Sequence, residues 1–97
     1  MRSIFIRGNT YFHEGSGVSY FHYKLYVDGE LFYSPEHPSN GYRSQYEYDA
    51  LRYLNENHPD MKAAGTVFIH DWIRKQGIDL YTSLSEVKSR RKLTKYL

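Results

Sequence analysis

Residues 18–33, VSYFHYKLYVDGELFY, carry the strongest structural signal in this 97-residue chain. Two runs of alternating side chains flank the pair Asp28-Gly29. A period of two is typical of β-strands, and a tight two-residue turn needs positive φ at both positions, which Asp and Gly tolerate. The stretch therefore predicts an antiparallel β-hairpin that turns at Asp28 and Gly29.

The turn also predicts how the two strands pair. The expected opposite pairs are Val27 with Glu30, Tyr26 with Leu31, Leu25 with Phe32, and Lys24 with Tyr33. One face of the hairpin is apolar enough to be the core face, and it carries Phe21, Tyr23, Leu25, Val27 and Phe32. The other face mixes aromatic and polar side chains, as half-exposed sheet surfaces do. It carries Tyr20, His22, Lys24, Tyr26, Leu31 and Tyr33.

The segments around the hairpin predict one more strand, a loop and a helix. Residues 3–7, SIFIR, alternate in the same way, with Ile4 and Ile6 on one face and Phe5 and Arg7 on the other. Residues 34–41 contain two prolines and no apolar side chain, and they predict a loop. A helix is expected to begin at Ser44, whose spacing to Glu47 fits a capping box. Its apolar stripe consists of Tyr46, Ala50, Leu51, Tyr53 and Leu54.

The last third of the chain predicts two further helices. Residues 66–76 favour strand at their start, but their apolar side chains have helical spacing, at Phe68, Ile69, Trp72 and Ile73. Residues 77–82, GIDLYT, fit a short strand or an extended link. Ser83 and Glu86 fit a second capping box, at the start of a C-terminal helix.

Strands first and helices later indicate an α+β fold. A chain of this length is expected to form one domain, residues 1–97. We expect a three-stranded antiparallel sheet in residues 1–34, packed against two or three helices in residues 44–97.

Charge is segregated along the chain, although the net charge is only +2. Residues 1–87 hold eight Lys and Arg against eleven Asp and Glu, a balance of −3. Residues 88–97 hold no acidic residue and a basic patch of five cations: Lys88, Arg90, Arg91, Lys92 and Lys95. The chain lacks cysteine, and its first apolar run is too short for a signal peptide or a membrane span. We therefore expect a cytoplasmic protein.

The titratable and nucleophilic residues show no catalytic or metal-binding pattern. The five histidines are scattered, with no pair four residues apart on a predicted helix. Gly15-Ser16-Gly17 is not a nucleophile elbow and lacks the lysine of a phosphate-binding loop. Glu47 and Asp49 would lie on different faces of their helix. The sequence thus predicts no enzyme, no metal site and no cofactor.

Eleven tyrosines in so short a chain indicate a binding function. Tyrosine and arginine are typical hot-spot residues of protein interfaces, because each buries area and keeps a polar group. The predicted surface for a larger protein or protein complex consists of Tyr20, His22, Lys24, Tyr26, Tyr33, Tyr42, Arg43 and Tyr48. The basic patch would steer association towards an acidic partner.

Two alternatives stay open at this point. In the first, the protein binds nucleic acid, with bases stacked on the aromatic sheet face and phosphates bound by the basic C-terminal helix. In the second, the tyrosines only cover a small sheet.

In its compact size, lack of cysteine, lack of catalytic residues and aromatic-rich surface, the chain resembles the small inhibitors that phages and mobile elements encode. Anti-CRISPR proteins and inhibitors of the RecBCD exonuclease are examples. The resemblance implies a protein that docks on a host nucleic-acid-processing or defence complex in the host cytoplasm. Many such inhibitors imitate DNA with strong negative charge, whereas this chain is near neutral with a basic end. The resemblance therefore implies docking on a protein surface.

Overall fold

The structure is a computed structural model that describes residues 1–42, 44–61 and 69–96. The strands are β1 (Ser3–His13), β2 (Val18–Val27), β3 (Glu30–Tyr33), β4 (Ser39–Asn40) and β5 (Asp79–Glu86). The helices are α1 (Gln45–Asn57) and α2 (Ile69–Lys75), followed by a short 3-10 helix at Arg90–Thr94. One mixed sheet has the order β3-β2-β1-β5, with β4 also paired to β2. The α+β class is confirmed, and β1, β2 and β3 are the three antiparallel strands expected in residues 1–34. The sheet is larger than predicted, because β4 and β5 also take part and β5 runs parallel to β1.

The predicted hairpin turn is confirmed. Asp28 and Gly29 have φ angles of 51° and 84°. The Asp28 carboxylate also accepts hydrogen bonds from the backbone N–H groups of Arg2 at 2.6 Å and Ser3 at 3.0 Å. These bonds hold the turn against the start of β1 and lower the pKa of the Asp28 carboxyl.

The predicted strand register is confirmed next to the turn and wrong beyond it. Val27 lies opposite Glu30 and Tyr26 opposite Leu31, as expected, but Leu25 then lies opposite Tyr33. Phe32 is the extra residue of a β-bulge, so neither Leu25 with Phe32 nor Lys24 with Tyr33 forms a pair.

The bulge places Tyr33 on the face of the sheet that α1 covers. Its ring stacks on Tyr53 with centroids 3.6 Å apart and lies 6.1 Å from the ring of Tyr23. The expectation that Tyr33 shares a face with Tyr26 is therefore wrong. The bulge therefore allows the Tyr33 ring to pack against the rings of Tyr23 and Tyr53, a contact that regular pairing would not permit.

The prediction of a helix that begins at Ser83 is wrong, because residues 79–86 form β5. Leu80, Thr82 and Leu84 lie opposite Ile4, Ile6 and Gly8 of β1. A capping box is a local signal. Pairing with β1 instead gives hydrogen-bond partners to the backbone groups of alternate residues from Asp79 to Val87, and it extends the apolar face of the sheet. The extended reading of residues 77–82 is the correct one.

The core lies between α1 and one face of the sheet. The predicted helical stripe is confirmed: Tyr46, Ala50, Leu51 and Leu54 are buried and Tyr53 is partly buried. Opposite them are fully buried strand side chains, each of which contributes about 1.5–3 kcal/mol when removed from water: Ile4, Ile6, Tyr23 and Leu25. The Tyr23 hydroxyl also donates a 2.6 Å hydrogen bond to Asp49 Oδ2, which ties β2 to α1.

The start of α1 differs from the predicted capping box. Ser44 is the N-cap residue, but its backbone is helical (φ −82°, ψ −9°) and its side chain makes no cap hydrogen bond. The Glu47 carboxylate instead bonds His70 Nε2 at 3.0 Å, which links α1 to α2. The second predicted helix is present as α2; its expected first residues, 66–68, lie outside the described part.

Candidate binding face of the sheet

The sheet face that points away from α1, called the second face below, is partly covered by the chain's own C-terminal segment, residues 88–96. The 3-10 helix in this segment packs on β1 and β2 and buries Leu93 completely. Asn9, a buried residue of β1, donates from Nδ2 to the carbonyl oxygens of Leu93 at 3.0 Å and Lys95 at 3.1 Å. One side chain of the sheet therefore satisfies carbonyl groups at the end of the 3-10 helix.

His22 connects the same segment to the loop after β3. Its Nδ1 lies 2.8 Å from the Tyr96 hydroxyl and its Nε2 lies 2.7 Å from the carbonyl oxygen of Pro35. Because a carbonyl only accepts, we assign the proton to Nε2, so Nδ1 accepts from Tyr96. Burial lowers the pKa of His22, and nearby Lys24 adds to the effect. The imidazole is thus a neutral structural link.

Tyr96 lies over two neighbouring cations. Arg7 and Lys24 are directly opposite each other on β1 and β2. The Arg7 Cζ atom is 5.2 Å and the Lys24 Nζ atom 4.7 Å from the centroid of the Tyr96 ring. Like charges opposite each other destabilise a sheet, and the negative face of an aromatic ring offsets that repulsion.

A second cation–π contact lies near the other end of the hairpin. The Arg90 Cζ atom is 4.6 Å from the centroid of Tyr20, and Tyr20 stacks on Tyr11 with centroids 6.5 Å apart. Arg90, a member of the basic patch, is therefore held against the second face of the sheet.

Beside the cations lies a row of apolar and aromatic side chains that crosses four strands. Phe5 lies opposite both Tyr26 and Tyr81, and Tyr26 lies opposite Leu31. Phe5 and Tyr26 stack at 5.7 Å, while Leu31 and Tyr81 at the two ends are 55% and 59% exposed. We call Leu31, Tyr26, Phe5 and Tyr81 the apolar row.

The predicted partner-binding residues separate into groups. Tyr20, His22, Lys24 and Tyr26 share the second face, as expected, but His22 is only 4% exposed and is held by Tyr96. Tyr20 and Lys24 are in contact with Arg90 and Tyr96, so Tyr26 alone of the four belongs to the apolar row.

The other predicted residues lie elsewhere. Tyr33 is on the α1 side of the sheet. Tyr42 and Tyr48 are 83% and 61% exposed, as expected from their positions outside the helical stripe. Arg43 lies outside the described residues. The basic patch is on the C-terminal segment, where its members are exposed: Lys88, Arg90, Arg91, Lys92 and Lys95.

Sequence reasoning did not single out Phe5, Arg7, Leu31, Tyr81 or Tyr96 as site residues. The signal for Phe5 and Arg7 was present, since they alternate with Ile4 and Ile6 in the first strand. Tyr81 lies in a segment that fitted either a short strand or an extended link, and neither prediction indicated that it pairs with Phe5. Tyr96 carried no local signal, because its role depends on residues of β1 and β2 far away in the sequence.

A groove of about 620 Å³ lies near the end of β1, between Tyr11, Phe12 and His13 on one side and Glu86 and Lys88 on the other.

Across the described residues, no three His, Asp or Glu side chains are grouped as metal ligands would be. Within the same ranges, no helix is both long and apolar enough to cross a membrane.

Comparison with known proteins returned no match to a protein-family model, to a curated protein or to a solved structure. The geometry of the second face therefore carries the functional argument.

Proposed function

We propose that this protein is a non-enzymatic binding module that docks on a larger protein or protein complex through the apolar row of its second face. The observation that carries the proposal is the row itself. Leu31 and Tyr81 are more than half exposed at its ends, and the stacked rings of Phe5 and Tyr26 lie between them. Contiguous exposed apolar side chains rimmed by polar ones are typical of protein interfaces.

The cations next to the row support an acidic partner surface. Arg7 and Lys24 lie in the adjacent position along β1 and β2, and the basic patch lies on the segment above them. Interfaces of this type use a desolvated aromatic centre for affinity and charged surroundings for the rate of association.

The resemblance to small phage-encoded inhibitors suggests the class of partner. A host nucleic-acid-processing or defence complex in the cytoplasm is the first target to test. Such a partner requires no catalysis by the inhibitor, only occupation of a functional surface.

The test compares two matched double variants in a pull-down from bacterial lysate, followed by kinetics with the purified partner. Tyr26→Ser with Leu31→Ser should raise the off-rate at least about tenfold, because it removes two apolar contacts that the partner would bury. Tyr42→Ser with Tyr48→Ser removes two exposed tyrosines that lie outside the apolar row and should leave the off-rate unchanged. Equal losses in both variants, or no partner retained by the wild-type protein, would contradict the proposal.

A second candidate, the binding of single-stranded nucleic acid, is favoured by one specific observation. Seven cations lie on the second face or on the segment that covers it: Arg7, Lys24, Lys88, Arg90, Arg91, Lys92 and Lys95. Aromatic rings beside cations are the usual arrangement for stacking bases and binding phosphates.

The two candidates differ in their response to salt. Fluorescence anisotropy with single-stranded oligonucleotides should show a slope of about −0.7 in log K against log salt for each phosphate contacted. Neutralising the basic patch with Gln should reduce that slope if nucleic acid is the ligand. With a protein partner, the same variant should mainly lower the on-rate. Tight, salt-sensitive oligonucleotide binding without a protein partner would favour the second candidate.

A further inference from the structure

Strand β5 forms an edge of the sheet that no other strand covers in the described part of the chain. Its only strand partner there is β1. Six of its eight residues are exposed: Asp79, Tyr81, Thr82, Ser83, Ser85 and Glu86. Leu80 and Leu84 are only partly buried, although both pack against the core. The core thus ends at this edge with two leucines incompletely covered.

The hydrogen bonds between β5 and β1 show which backbone N–H and C=O groups of β5 point away from the sheet. The N–H of Asp79 donates to the carbonyl oxygen of Arg2 at 3.0 Å, and the N–H of Val87 donates to Thr10 at 2.8 Å. In a parallel pair, alternate residues direct both backbone groups to the neighbour. Odd-numbered residues of β5 therefore bond β1, and the N–H and C=O groups of Leu80, Thr82 and Leu84 point away from the sheet.

Between its two terminal residues, this edge lacks the features that keep natural sheet edges from pairing. Those features are short length, bulges, prolines and charged side chains, lysine above all. Strand β5 is eight residues long, contains no Lys, Arg or Pro, and is uncharged from Leu80 to Ser85. Its register with β1 continues without interruption. The opposite edge differs, since β3 has four residues and a bulge.

We propose that β5 pairs antiparallel with β5 of a second copy of this chain, across a two-fold axis at Thr82. Residues with outward backbone groups must then face each other, so Thr82 lies opposite Thr82 and Leu80 opposite Leu84 of the other copy. This pairing forms about six backbone hydrogen bonds. Each partly buried leucine meets a leucine on the same face of the sheet.

The charges fit a second copy. In this register Asp79 lies opposite Ser85 and Tyr81 opposite Ser83, so no two like charges are paired. An interface in which each copy presents the same strand is the isologous type found in most homodimers. The two-fold axis is perpendicular to the sheet, so both second faces point to the same side. A dimer would therefore present two apolar rows to one partner surface. Dimer formation goes beyond the proposed function and does not depend on it.

The absence of cysteine makes a direct test possible. In a hydrogen-bonded antiparallel pair, opposite Cα atoms are about 5.5 Å apart, within the range that a disulfide spans. Thr82→Cys should therefore form a covalent dimer under mild oxidation, seen on a non-reducing gel. Leu31→Cys, an exposed position on the opposite edge, is the matched control and should stay monomeric.

Analytical ultracentrifugation tests the unmodified protein. The wild-type chain should reach twice its 11.6 kDa mass as its concentration rises. Thr82→Lys places two ammonium groups against each other at the axis and should stay monomeric, with an unchanged circular dichroism spectrum. Leu31→Lys should dimerise like the wild type. A wild-type protein that is monomeric at every concentration, or cross-linking through Leu31→Cys instead of Thr82→Cys, would overturn the proposal.

Discussion

At the scale of single residues, Gly8 allows α1 to lie close to β1. A Cβ atom on Gly8 would be 2.6 Å from Tyr46 Cδ2. Tyr46 is buried in the core cluster, so its ring has little room to move. Gly8→Ala is expected to lower the free energy of unfolding by about 1–3 kcal/mol. Urea denaturation measures the change.

Gly15 offers the control for this substitution. A Cβ atom there would meet only the ring of His13, an exposed side chain whose contacts with Ser16 are also exposed, so a small shift into solvent relieves the approach. Gly15→Ala should therefore change stability by less than about 0.5 kcal/mol. A Gly8→Ala variant as stable as the wild type would mean that Tyr46 is not packed against β1.

His22 makes the stability of the protein depend on pH. Its pKa in the folded protein lies below the ordinary value of 6.5, because burial disfavours the cation and Lys24 repels it. The unfolded chain therefore binds more protons near pH 6. The contribution of neutral His22 is complete above about pH 6.5 and is lost as pH falls through the lowered folded pKa.

The measurement is a series of urea midpoints between neutral and mildly acidic pH. His22→Gln should flatten the decline, whereas His37→Gln, which changes an exposed histidine, should follow the wild type. Identical pH dependence in all three proteins would show that His22 does not titrate differently on folding.

At the scale of elements, Asn9 helps to hold the C-terminal segment on the sheet. Asn9 supplies hydrogen bonds to the carbonyl groups of Leu93 and Lys95. Asn9→Leu would leave these acceptors without their partner, at a cost of about 1–3 kcal/mol if they stay buried. We expect the segment to detach more often, so trypsin should cleave faster within the basic patch.

The matched control is Asn40→Leu, an exposed position on β4. It adds the same side chain at an exposed position that supplies none of these hydrogen bonds, and it should be cleaved at the wild-type rate. If Asn9→Leu is cleaved no faster than Asn40→Leu, then Leu93 and Tyr96 are enough to hold the segment in place.

Elements with complete local signals were predictable and the others were not. The turn at Asp28-Gly29 and the buried stripe of α1 agree with the sequence patterns, because backbone geometry and side-chain periodicity act over a few residues. The second half of β5, residues 83–86, was predicted as helix because Ser83 and Glu86 have the spacing of a capping box. The strand state depends on β1, more than seventy residues earlier.

The candidate site was predictable to the same extent. The alternation of Tyr20, His22, Lys24 and Tyr26 placed these residues correctly on one face. It gave no sign that the basic patch would fold onto that face, which buries His22 and leaves the apolar row as the open part. Tyr33 was misplaced because one extra residue in β3 reverses the side on which it points.

At the scale of the whole molecule, the two faces of the sheet have different roles. The α1 side of the sheet holds the core, and the second face holds cations, aromatic rings and the C-terminal segment. This division follows from the period of two in β1 and β2, which sends successive side chains to opposite faces.

Local sequence patterns were sufficient for the α+β class, the hairpin and the core stripe, since each depends on neighbours along the chain. Long-range contacts decided three features: the parallel pairing of β5 with β1, the bulge at Phe32 and the packing of residues 88–96 on the second face. Asn9 and Leu93, for example, are 84 positions apart and meet only after the sheet has formed. Such pairings depend on hydrogen bonds and buried area that exist only in the complete fold, and they determine which side chains of the second face stay open to a partner.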